Sequence, residues 1–375
     1  MTSRPLVIAV SGPTGIGKTE FAVELAKRVN GELISCDSVQ VFKHLNIGAN
    51  KYYPSVSDPP QHLVDIIEPT CNFSAGDFVK LCLSAVNEVI SRRKVPIVVG
   101  GTGLYFDWLI NGQPTAPVVS LSTIDNVKRI IHQDADWSHS LRRLVAIDPE
   151  YAANINENDY YRLTKAIGCF EEFGAPLSSF KRRKNNEHEW IGFYLTADRE
   201  QIFRTIDRRC EKMIENGLVE ETFDLMNKGV LLKDTMAARS IGYKETIDFI
   251  EGLLKSQTDS RILFEQYITE FSTATRNYAR KQETWFSNKF KSEFTWLNRN
   301  VPMELLIDKA YQIVMSSNRN TCREDSDSIK ALLRSKEGKE KRKKQLRTYR
   351  PTFSLSDETK RLQVLERILE HIGKI

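Results

Sequence analysis

A glycine-rich segment near the start of the chain has the spacing of a phosphate-binding loop. Residues 12–19 read Gly-Pro-Thr-Gly-Ile-Gly-Lys-Thr and match the pattern G-x-x-x-x-G-K-[ST]. In this pattern backbone N–H groups surround phosphate oxygens, the lysine adds a positive charge and the final hydroxyl can hold Mg²⁺. A glycine-rich turn without a ligand is the alternative. The residues predicted to bind phosphate are Gly12, Thr14, Gly15, Ile16, Gly17, Lys18 and Thr19, with Thr19 as the Mg²⁺ ligand.

A single carboxylate follows the second predicted strand, Glu32–Cys36. P-loop kinases usually place a metal-binding aspartate at the end of an apolar strand, but the strand Val95–Val99 ends in Gly-Gly-Thr-Gly instead. Ligands of open α/β sheets bind beyond the carboxyl ends of the strands. We therefore predict that Asp37 faces the phosphate loop as a base. An aspartate that only caps a turn is the alternative.

The elements that must position these residues alternate between strands and helices. Short, continuously apolar runs are typical of strands buried on both faces of a parallel sheet. The predicted strands are 6–10, 32–36, 63–67 and 95–99, of which 6–10 and 95–99 are continuously apolar, and the first predicted helices are 20–29 and 78–92. This order predicts an α/β fold with a P-loop NTPase-like three-layer core around a parallel sheet.

The character of the sequence changes after a connection rich in proline and serine at 114–122. Residues 123–186 have helical spacing without a strand-like run, and a strand pattern returns at 190–196. Long amphipathic helices are predicted at 198–227 and 260–289. The predicted domains are a discontinuous P-loop catalytic core (1–120 and 188–300), a helical insertion (121–187) and a C-terminal extension (301–375).

The net charge of +5 is concentrated near the C-terminus. Between Arg334 and Arg350 there are nine basic and two acidic residues, so this run is +7 and the rest of the chain is −2. We expect the run 334–350 to be a flexible basic arm. Such an arm would bind RNA non-specifically or act as a nuclear-localisation-like segment.

Composition excludes several other classes of protein. No run of 18 apolar residues occurs, so we expect no membrane partner, and because the first strand is predicted to begin at residue 6 we expect no leader. The six cysteines are scattered without C-x-x-C pairs. This usage predicts reduced thiols, a cytoplasmic location and no zinc site.

Several longer motifs follow the phosphate loop in a fixed order. They are Asp37–Phe42, Asn46–Gly48, His62–Ile66, Phe73–Phe78, Gly100–Tyr105, Asn158-Asp159 with Arg162, Ala238–Glu245 and Thr275–Trp285. Together they resemble the tRNA dimethylallyltransferase (tRNA isopentenyltransferase) family over about residues 5–290. Many eukaryotic members have a C-terminal zinc finger. This chain departs from that pattern, because Cys322 is the only cysteine after Cys210.

The resemblance implies a reaction and a set of site residues. The family transfers a dimethylallyl group from dimethylallyl diphosphate to N6 of an adenosine beside the tRNA anticodon and releases diphosphate, with Mg²⁺. It implies that Thr14 and Arg239 contact the diphosphate and that Asp37 accepts the N6 proton. The implied partner is the tRNA anticodon stem-loop, and a monomer is expected. The implied tRNA contacts are Asp37, Ser38, Val39, Gln40, Thr102, Lys128, Tyr161, Arg162, Lys165, Arg276, Asn277, Arg280, Lys281 and Gln282.

Three other functions stay open at this point. An adenylate isopentenyltransferase would use a free nucleotide, which needs no insertion that grips a stem. A P-loop small-molecule kinase would bind ATP in the loop and a phosphoryl acceptor at Asp37. A non-catalytic RNA-binding protein would keep the loop only as a scaffold.

Overall fold

The computed structural model describes residues 4–183, 186–290, 293–316, 331, 335–351, 355 and 357–373. The chain forms two compact units, one of residues 1–107 and 186–375 and one of residues 108–185. The smaller unit spans most of the predicted insertion 121–187 and also takes in residues 108–120. No helix in the described ranges is long and apolar enough to cross a membrane.

The strands and helices alternate in the first part of the chain, and helices dominate the rest. The strands are β1 (Leu6–Ser11), β2 (Gly31–Cys36), β3 (Gln61–His62), β4 (Val95–Gly100), β5 (Gln113–Pro114), β6 (Arg182–Arg183), β7 (Glu189–Thr196) and β8 (Phe294–Asn298). The helices are α1 (Lys18–Val29), α2 (Ala75–Ser91), α3 (Gly103–Asn111), α4 (Leu121–Ile131), α5 (Trp137–Ile147), α6 (Pro149–Ala152), α7 (Tyr160–Phe173), α8 (Arg199–Glu215), α9 (Leu218–Asn227), α10 (Tyr243–Lys255), α11 (Ser260–Lys289), α12 (Met303–Met315), α13 (Lys336–Thr348) and α14 (Glu358–Ile372).

A six-stranded parallel sheet forms the centre of the larger unit. Its strand order is β3-β2-β4-β1-β7-β8, and every described pair of neighbours is parallel. All six residues of β2 and five of the six in β1 and in β4 are buried. Burial on both faces explains the apolar sequences of β1 and β4, whereas β2 also contains the buried polar residues Glu32 and Ser35. The predicted α/β fold class is confirmed.

The carboxyl ends of three adjacent strands meet at one edge of this sheet. The phosphate loop follows β1, Asp37 follows β2, and Gly101 follows β4. The Ser11 hydroxyl donates a hydrogen bond to the Gly100 carbonyl (2.9 Å), which joins the ends of β1 and β4. Parallel pairing therefore brings together segments that are far apart in sequence.

Two predicted elements differ from the structure. The third strand is Gln61–His62 rather than 63–67, because Leu63 and Asp65 have left-handed backbone angles (φ 61° and 58°) that a strand cannot contain. The predicted helix 198–227 is two helices, since the chain breaks at Gly217 with φ 97°. The predicted helix 260–289 is confirmed as α11.

The smaller unit has its own hydrophobic core. Apolar side chains from α4, α5, α6 and α7 form it: Val127, Ile131, Trp137, Leu144, Ala152, Leu163, Ala166 and Ile167. Side-chain oxygens of Ser120, Asp136 and Asp159 accept hydrogen bonds from backbone N–H groups in the first turns of α4, α5 and α7. Capping of this kind fixes where each helix begins.

The predicted flexible basic arm is instead helical in its described part. Residues 335–350 of the run 334–350 include α13, which begins at a Ser335 cap and packs against α8. The buried or half-buried positions Gly338, Arg342, Gln345 and Tyr349 share the spacing of one helix face. The expectation of flexibility was wrong because it considered charge alone. Cys322 lies outside the described residues.

A row of carboxylates on α8 binds the C-terminal segment. We call this row the acidic stripe; it consists of Asp207, Glu211 and Glu215, spaced four residues apart on one helix face. Their partners follow in chain order: Asp207 accepts from the Tyr349 hydroxyl (2.5 Å), Glu211 from the Leu355 backbone N–H (2.7 Å) and Glu215 from the Lys360 ammonium (2.6 Å). On α9, Glu220 pairs with Arg367 (2.6 Å) and Asp224 with His371 (2.8 Å).

Candidate active site

The phosphate loop adopts the shape that its glycines allow. Gly15 and Gly17 have φ values of 81° and 93°, in the left-handed region that favours glycine, and Gly17 is the N-cap of α1. The first backbone N–H groups of α1 therefore face the loop. A cavity of about 330 Å³ lies there, lined among others by Thr14, Gly15, Gly17, Lys18, Thr19, Asp37, Gly101 and Arg209.

Lys18 lies inside this cavity in an unfavourable place for its charge. Its ammonium donates to the Pro13 carbonyl (2.9 Å). Burial, followed by repulsion from Arg209, lowers the pKa of Lys18 to about 7, and attraction to Asp37 only partly opposes this. An anion placed in the cavity would relieve both effects, since it favours the charged form of the lysine.

Arg209 of α8 is a site residue that the sequence analysis missed. Its guanidinium donates to the Thr14 hydroxyl (3.2 Å), and the side chain lines the same cavity as Lys18 and Asp37. Burial lowers the pKa of Arg209, and nearby Cys210 and Asp37 counteract this. One sequence signal could have found it. Arg209 lies at i+3 from Ile206 and i−4 from Met213, so it is a cation on the apolar face of an amphipathic helix.

Asp37 serves as a turn cap and also lines the cavity. Its Oδ1 accepts hydrogen bonds from the backbone N–H groups of Val39 (2.8 Å) and Gln40 (3.3 Å). Its Oδ2 has no hydrogen-bond partner among the described residues. The cap thus fixes the carboxylate and leaves one oxygen available to a ligand.

A second cavity, of about 250 Å³, adjoins the first. Both are lined by Thr14, Asp37, Ala49, Arg209 and Tyr278. The lining found only in the second includes the apolar side chains of Met213, Ile241 and Phe271. The two spaces therefore combine a polar, cationic part and an apolar part around one carboxylate.

Arg239, predicted to contact the diphosphate, is placed differently from Arg209. It lines the second cavity beside Ser240 and Ile241, but its side chain is 67% exposed. Its guanidinium lies 3.4 Å from Asp234, a fully exposed partner that gives little stabilisation. Its contact with a diphosphate stays a prediction.

The residues after β2 and β4 contact one another. The Ser38 backbone N–H donates to the Thr102 hydroxyl (3.2 Å). The Gln40 side chain accepts from the Ser35 hydroxyl (2.8 Å) and donates to the carbonyls of Ala49 (3.3 Å) and Asn50 (3.4 Å). Val39 is half-buried at the second cavity. The polar atoms of the Gln40 side chain are therefore hydrogen-bonded within the protein. Ser38 lines the second cavity and is half-buried, as is Thr102.

Gln282 of α11 joins the phosphate loop to the loop after β4. Its Oε1 accepts from the Thr14 backbone N–H (2.9 Å) and its Nε2 donates to the Gly101 carbonyl (3.0 Å). A third cavity, of about 220 Å³, opens beside it and is lined by Gly101, Thr102, Gly103, Leu104, Tyr278, Lys281, Gln282, Trp285 and Phe286. A Cβ on Gly103 would lie 2.3 Å from the Trp285 ring, so only glycine fits there.

Apart from Gln282, which is buried, the predicted tRNA contacts on α11 fall into two groups. Arg276 pairs with buried Asp207, and its guanidinium lies 5.7 Å from the centre of the Tyr349 ring. Asn277, Arg280 and Lys281 are exposed, and Arg280 donates to the Asn277 side chain (3.1 Å). Arg276 and Arg280 are four residues apart and therefore share one face of α11. Only the second group presents its side chains to solvent.

The predicted tRNA contacts in the smaller unit are exposed. Lys128 lies 3.3 Å from Asp125, and Arg162 lies 3.3 Å from Asp159. The Lys165 ammonium lies 4.7 Å from the centre of the Tyr161 ring, which is itself largely exposed. Their side chains are accessible to a ligand, and their role in tRNA binding stays a prediction.

Thr19 is the one residue predicted to hold a metal ion. It lines the first cavity beside Lys18 and Glu20. No cluster of three or more His, Cys, Asp and Glu suited to a metal occurs within the described ranges. A single hydroxyl fits Mg²⁺ that is carried mainly by the phosphate oxygens of a substrate and by water.

Comparison with known proteins agrees with this geometry. A sequence profile described as IPP transferase matches residues 40–289, and one described as isopentenyl transferase matches residues 5–56. The tRNA dimethylallyltransferase 1 of Citrifermentans bemidjiense is 36% identical, over 78% of this chain and 91% of its own. The tRNA dimethylallyltransferase 9 of Arabidopsis thaliana is 32% identical, over 81% of this chain and 74% of its own.

A solved structure extends the similarity to the fold. The full-length tRNA isopentenylpyrophosphate transferase of Bacillus halodurans aligns with a TM-score of 0.60 and 29% identity, over 87% of this chain and 99% of its own. The profile match alone spans more than half of the chain. This chain belongs to the IPP transferase family, whose curated relatives are tRNA dimethylallyltransferases.

Proposed function

We propose that this protein transfers the dimethylallyl group of dimethylallyl diphosphate to N6 of an adenosine next to the anticodon in a tRNA anticodon loop. The bond between C1 of the allyl group and the diphosphate oxygen breaks, and a bond between C1 and N6 forms. N6 loses a proton, and diphosphate is released. The observation that supports this most is the pair of adjoining cavities that share Asp37, Thr14 and Arg209.

The donor fits these two cavities by its chemistry. The diphosphate would occupy the cavity of the phosphate loop, where Lys18, Arg209 and the loop N–H groups stabilise the charge that develops as the C–O bond breaks. The five-carbon group would lie against Met213, Ile241 and Phe271 in the apolar cavity. Its C1 would then lie between the cationic side chains and Asp37.

Asp37 is suited to act as the base. An exocyclic adenine amine is a weak nucleophile and benefits when its proton is accepted during attack. Two backbone N–H groups hold Oδ1 of Asp37, so Oδ2 is oriented without a competing partner among the described residues. To reach this carboxylate, the adenosine must leave the stack of the loop. Ser38, Thr102 and Lys281 would contact the displaced nucleotides.

Mg²⁺ is expected to accompany the diphosphate. The hydroxyl of Thr19 would be its protein ligand, as the geometry of the first cavity allows. When bound, the ion would neutralise part of the negative charge on the diphosphate oxygens.

Labelled dimethylallyl diphosphate, given with either tRNA or AMP, tests the proposal. We expect label in unmodified tRNA, and the position should be an adenosine next to the anticodon. Label in AMP alone would contradict the proposal and favour an adenylate isopentenyltransferase. A parallel reaction with labelled ATP and no prenyl donor tests for kinase activity, where we expect no phosphoryl transfer. Asp37→Asn provides the inactive control, which should still bind tRNA.

We also propose a cytoplasmic location, supported by five unpaired cysteines among the described residues, namely Cys36, Cys71, Cys82, Cys169 and Cys210. The expected monomeric state stays a prediction, which light scattering of the purified protein would check.

A further inference from the structure

The two sides of α13 differ in how their charged side chains are paired. On the side of α13 that packs against the core, Arg342 lies 3.5 Å from Glu283 of α11. Following α13, Tyr349 donates to Asp207 of α8. On the other side, Lys336, Lys343 and Lys344 are exposed. Within the described part of the chain, these three lysines have no carboxylate partner.

The acids beneath α13 are already neutralised. Asp207 is 1% exposed and pairs with Arg276. Glu283 is 6% exposed and pairs with Arg199 at 2.7 Å as well as with Arg342. Because each buried carboxylate has an arginine partner, these acids do not cancel the positive charge of the exposed lysines. Glu337 and Glu340 of α13 are exposed as well, so the exposed, described side chains of this helix carry three positive and two negative charges, and its outer side is net cationic.

Helix α13 lies next to an exposed cation of α11. Glu283, which Arg342 contacts, follows Arg280 by three residues and lies on the same side of α11. Glu283 and Arg280 also line a small cleft with Pro13 of the phosphate loop. The pair of Arg342 and Glu283 thus places helix α13 beside Arg280 and beside a cleft that Pro13 of the phosphate loop also lines.

We propose that Lys336, Lys343 and Lys344 of the docked helix α13 bind the sugar-phosphate backbone of the tRNA substrate, as an extension of the cationic surface of α11. Charge complementarity with RNA supports this occupant, since the run 334–350 has a net charge of +7. This inference rests on the proposed function for the identity of the RNA. It adds a second contact region, outside the residues that bind the reacting nucleotide.

The test compares two double variants of the full-length protein. In Lys343→Gln with Lys344→Gln, two exposed charges of α13 are removed. The control variant is Lys80→Gln with Lys228→Gln, which also removes two positive charges. Lys80 is an exposed residue of α2, and Lys228 is an exposed residue directly after α9. The Kd of an unmodified tRNA transcript is measured by fluorescence anisotropy at several salt concentrations, and thermal unfolding is followed for all three proteins.

For the α13 variant we expect roughly tenfold weaker tRNA binding near 0.1 M salt, and a slope of log Kd against log salt that is smaller by about 1–2. The KM for tRNA should rise in proportion, while the KM for dimethylallyl diphosphate keeps its wild-type value. The control should match wild type. Unchanged tRNA binding in the α13 variant, or an equal loss in both variants, would overturn the inference.

The same experiment separates this inference from the proposed function. If wild type transfers label to tRNA but the α13 variant binds tRNA normally, only the inference fails. If the wild type transfers no label but its tRNA binding depends on Lys343 and Lys344, the proposed reaction is wrong. The inference that α13 binds RNA is then still supported.

Discussion

The two ends of the candidate site are built in different ways. At the end proposed to bind the diphosphate, Thr14, Arg209 and Gln282 are held by hydrogen bonds within the protein before any ligand arrives. At the end proposed to face the RNA, Arg280 and Lys281 extend into solvent with few partners. A diphosphate, whose negative charge increases as its bond breaks, is stabilised best by dipoles and charges that are already fixed in place. A large polyanion is attracted by exposed charges that adjust to its backbone.

The strongest test of this comparison is Asp37→Asn, which removes the base and keeps the cap. An asparagine Oδ1 can still accept from Val39 and Gln40, so the loop should keep its shape. We expect the single-turnover rate of transfer to fall by about 10²–10⁴-fold. The tRNA affinity should change little. A variant with a wild-type transfer rate would show that another group accepts the proton.

Next in size is the difference between the two arginines that line the second cavity. Arg209→Met removes a fixed, half-buried charge, and we expect kcat/KM for dimethylallyl diphosphate to fall by about 10²–10³-fold. Arg239→Met removes an exposed charge, and the expected loss is on the order of fivefold. Steady-state kinetics with saturating tRNA would measure both. If Arg239→Met lowered kcat/KM more than Arg209→Met, the Arg239 side chain would have to move onto the bound donor. The distinction between fixed and exposed charges would then be wrong.

A smaller effect separates Arg276 from Arg280, which are one helical turn apart on α11. Arg276→Gln leaves Asp207 buried without its guanidinium, so we expect the free energy of unfolding to fall by about 3 kcal/mol. Arg280→Gln should change stability by less than about 0.5 kcal/mol. It should instead reduce the salt slope of tRNA binding by about 1. Denaturant unfolding measures the free energy of unfolding of both variants, and fluorescence anisotropy measures the salt dependence of their tRNA binding. If the two variants gave the same values, the distinction between a structural Arg276 and an RNA-binding Arg280 would be refuted.

The smallest effect concerns the proton of Lys18. With a pKa of about 7, this lysine is mostly neutral at about pH 8 and mostly charged at about pH 6. A bound diphosphate favours the charged form, so binding should take up a proton at the higher pH and almost none at the lower. Calorimetry of inorganic diphosphate binding in buffers of different ionisation enthalpy measures this uptake. The proton uptake of Lys18→Met is subtracted from that of the wild type at each pH. If the remaining uptake were the same at both pH values, the lowered pKa of Lys18 would be contradicted.

The sequence predicted those parts of the site that depend on short segments. The phosphate loop follows from glycines and a lysine within eight residues, and Asp37 follows from its place after a buried strand. Arg209 could not be found by motif, because its role depends on how α8 packs beside Thr14. Nor could Arg276 be separated from Arg280, since its partner Asp207 is on another helix. The strand predicted at 63–67 was misplaced because contacts with the chain near Gln40 and Val41 hold that segment in left-handed angles.

The acidic stripe of α8 has a consequence for the order in which the protein is made. Of its three carboxylates, Asp207 also pairs with Arg276 of α11, whereas Glu211 and Glu215 are bound by the C-terminal segment. Their partners Tyr349, Leu355 and Lys360 are among the last residues to leave the ribosome, because synthesis proceeds from the N-terminus. On the other side of the same helix, Arg209 and Met213 line the cavities proposed for the prenyl donor. We therefore expect the donor site to reach its final geometry only when translation is complete, so truncated nascent chains would not compete for prenyl donor.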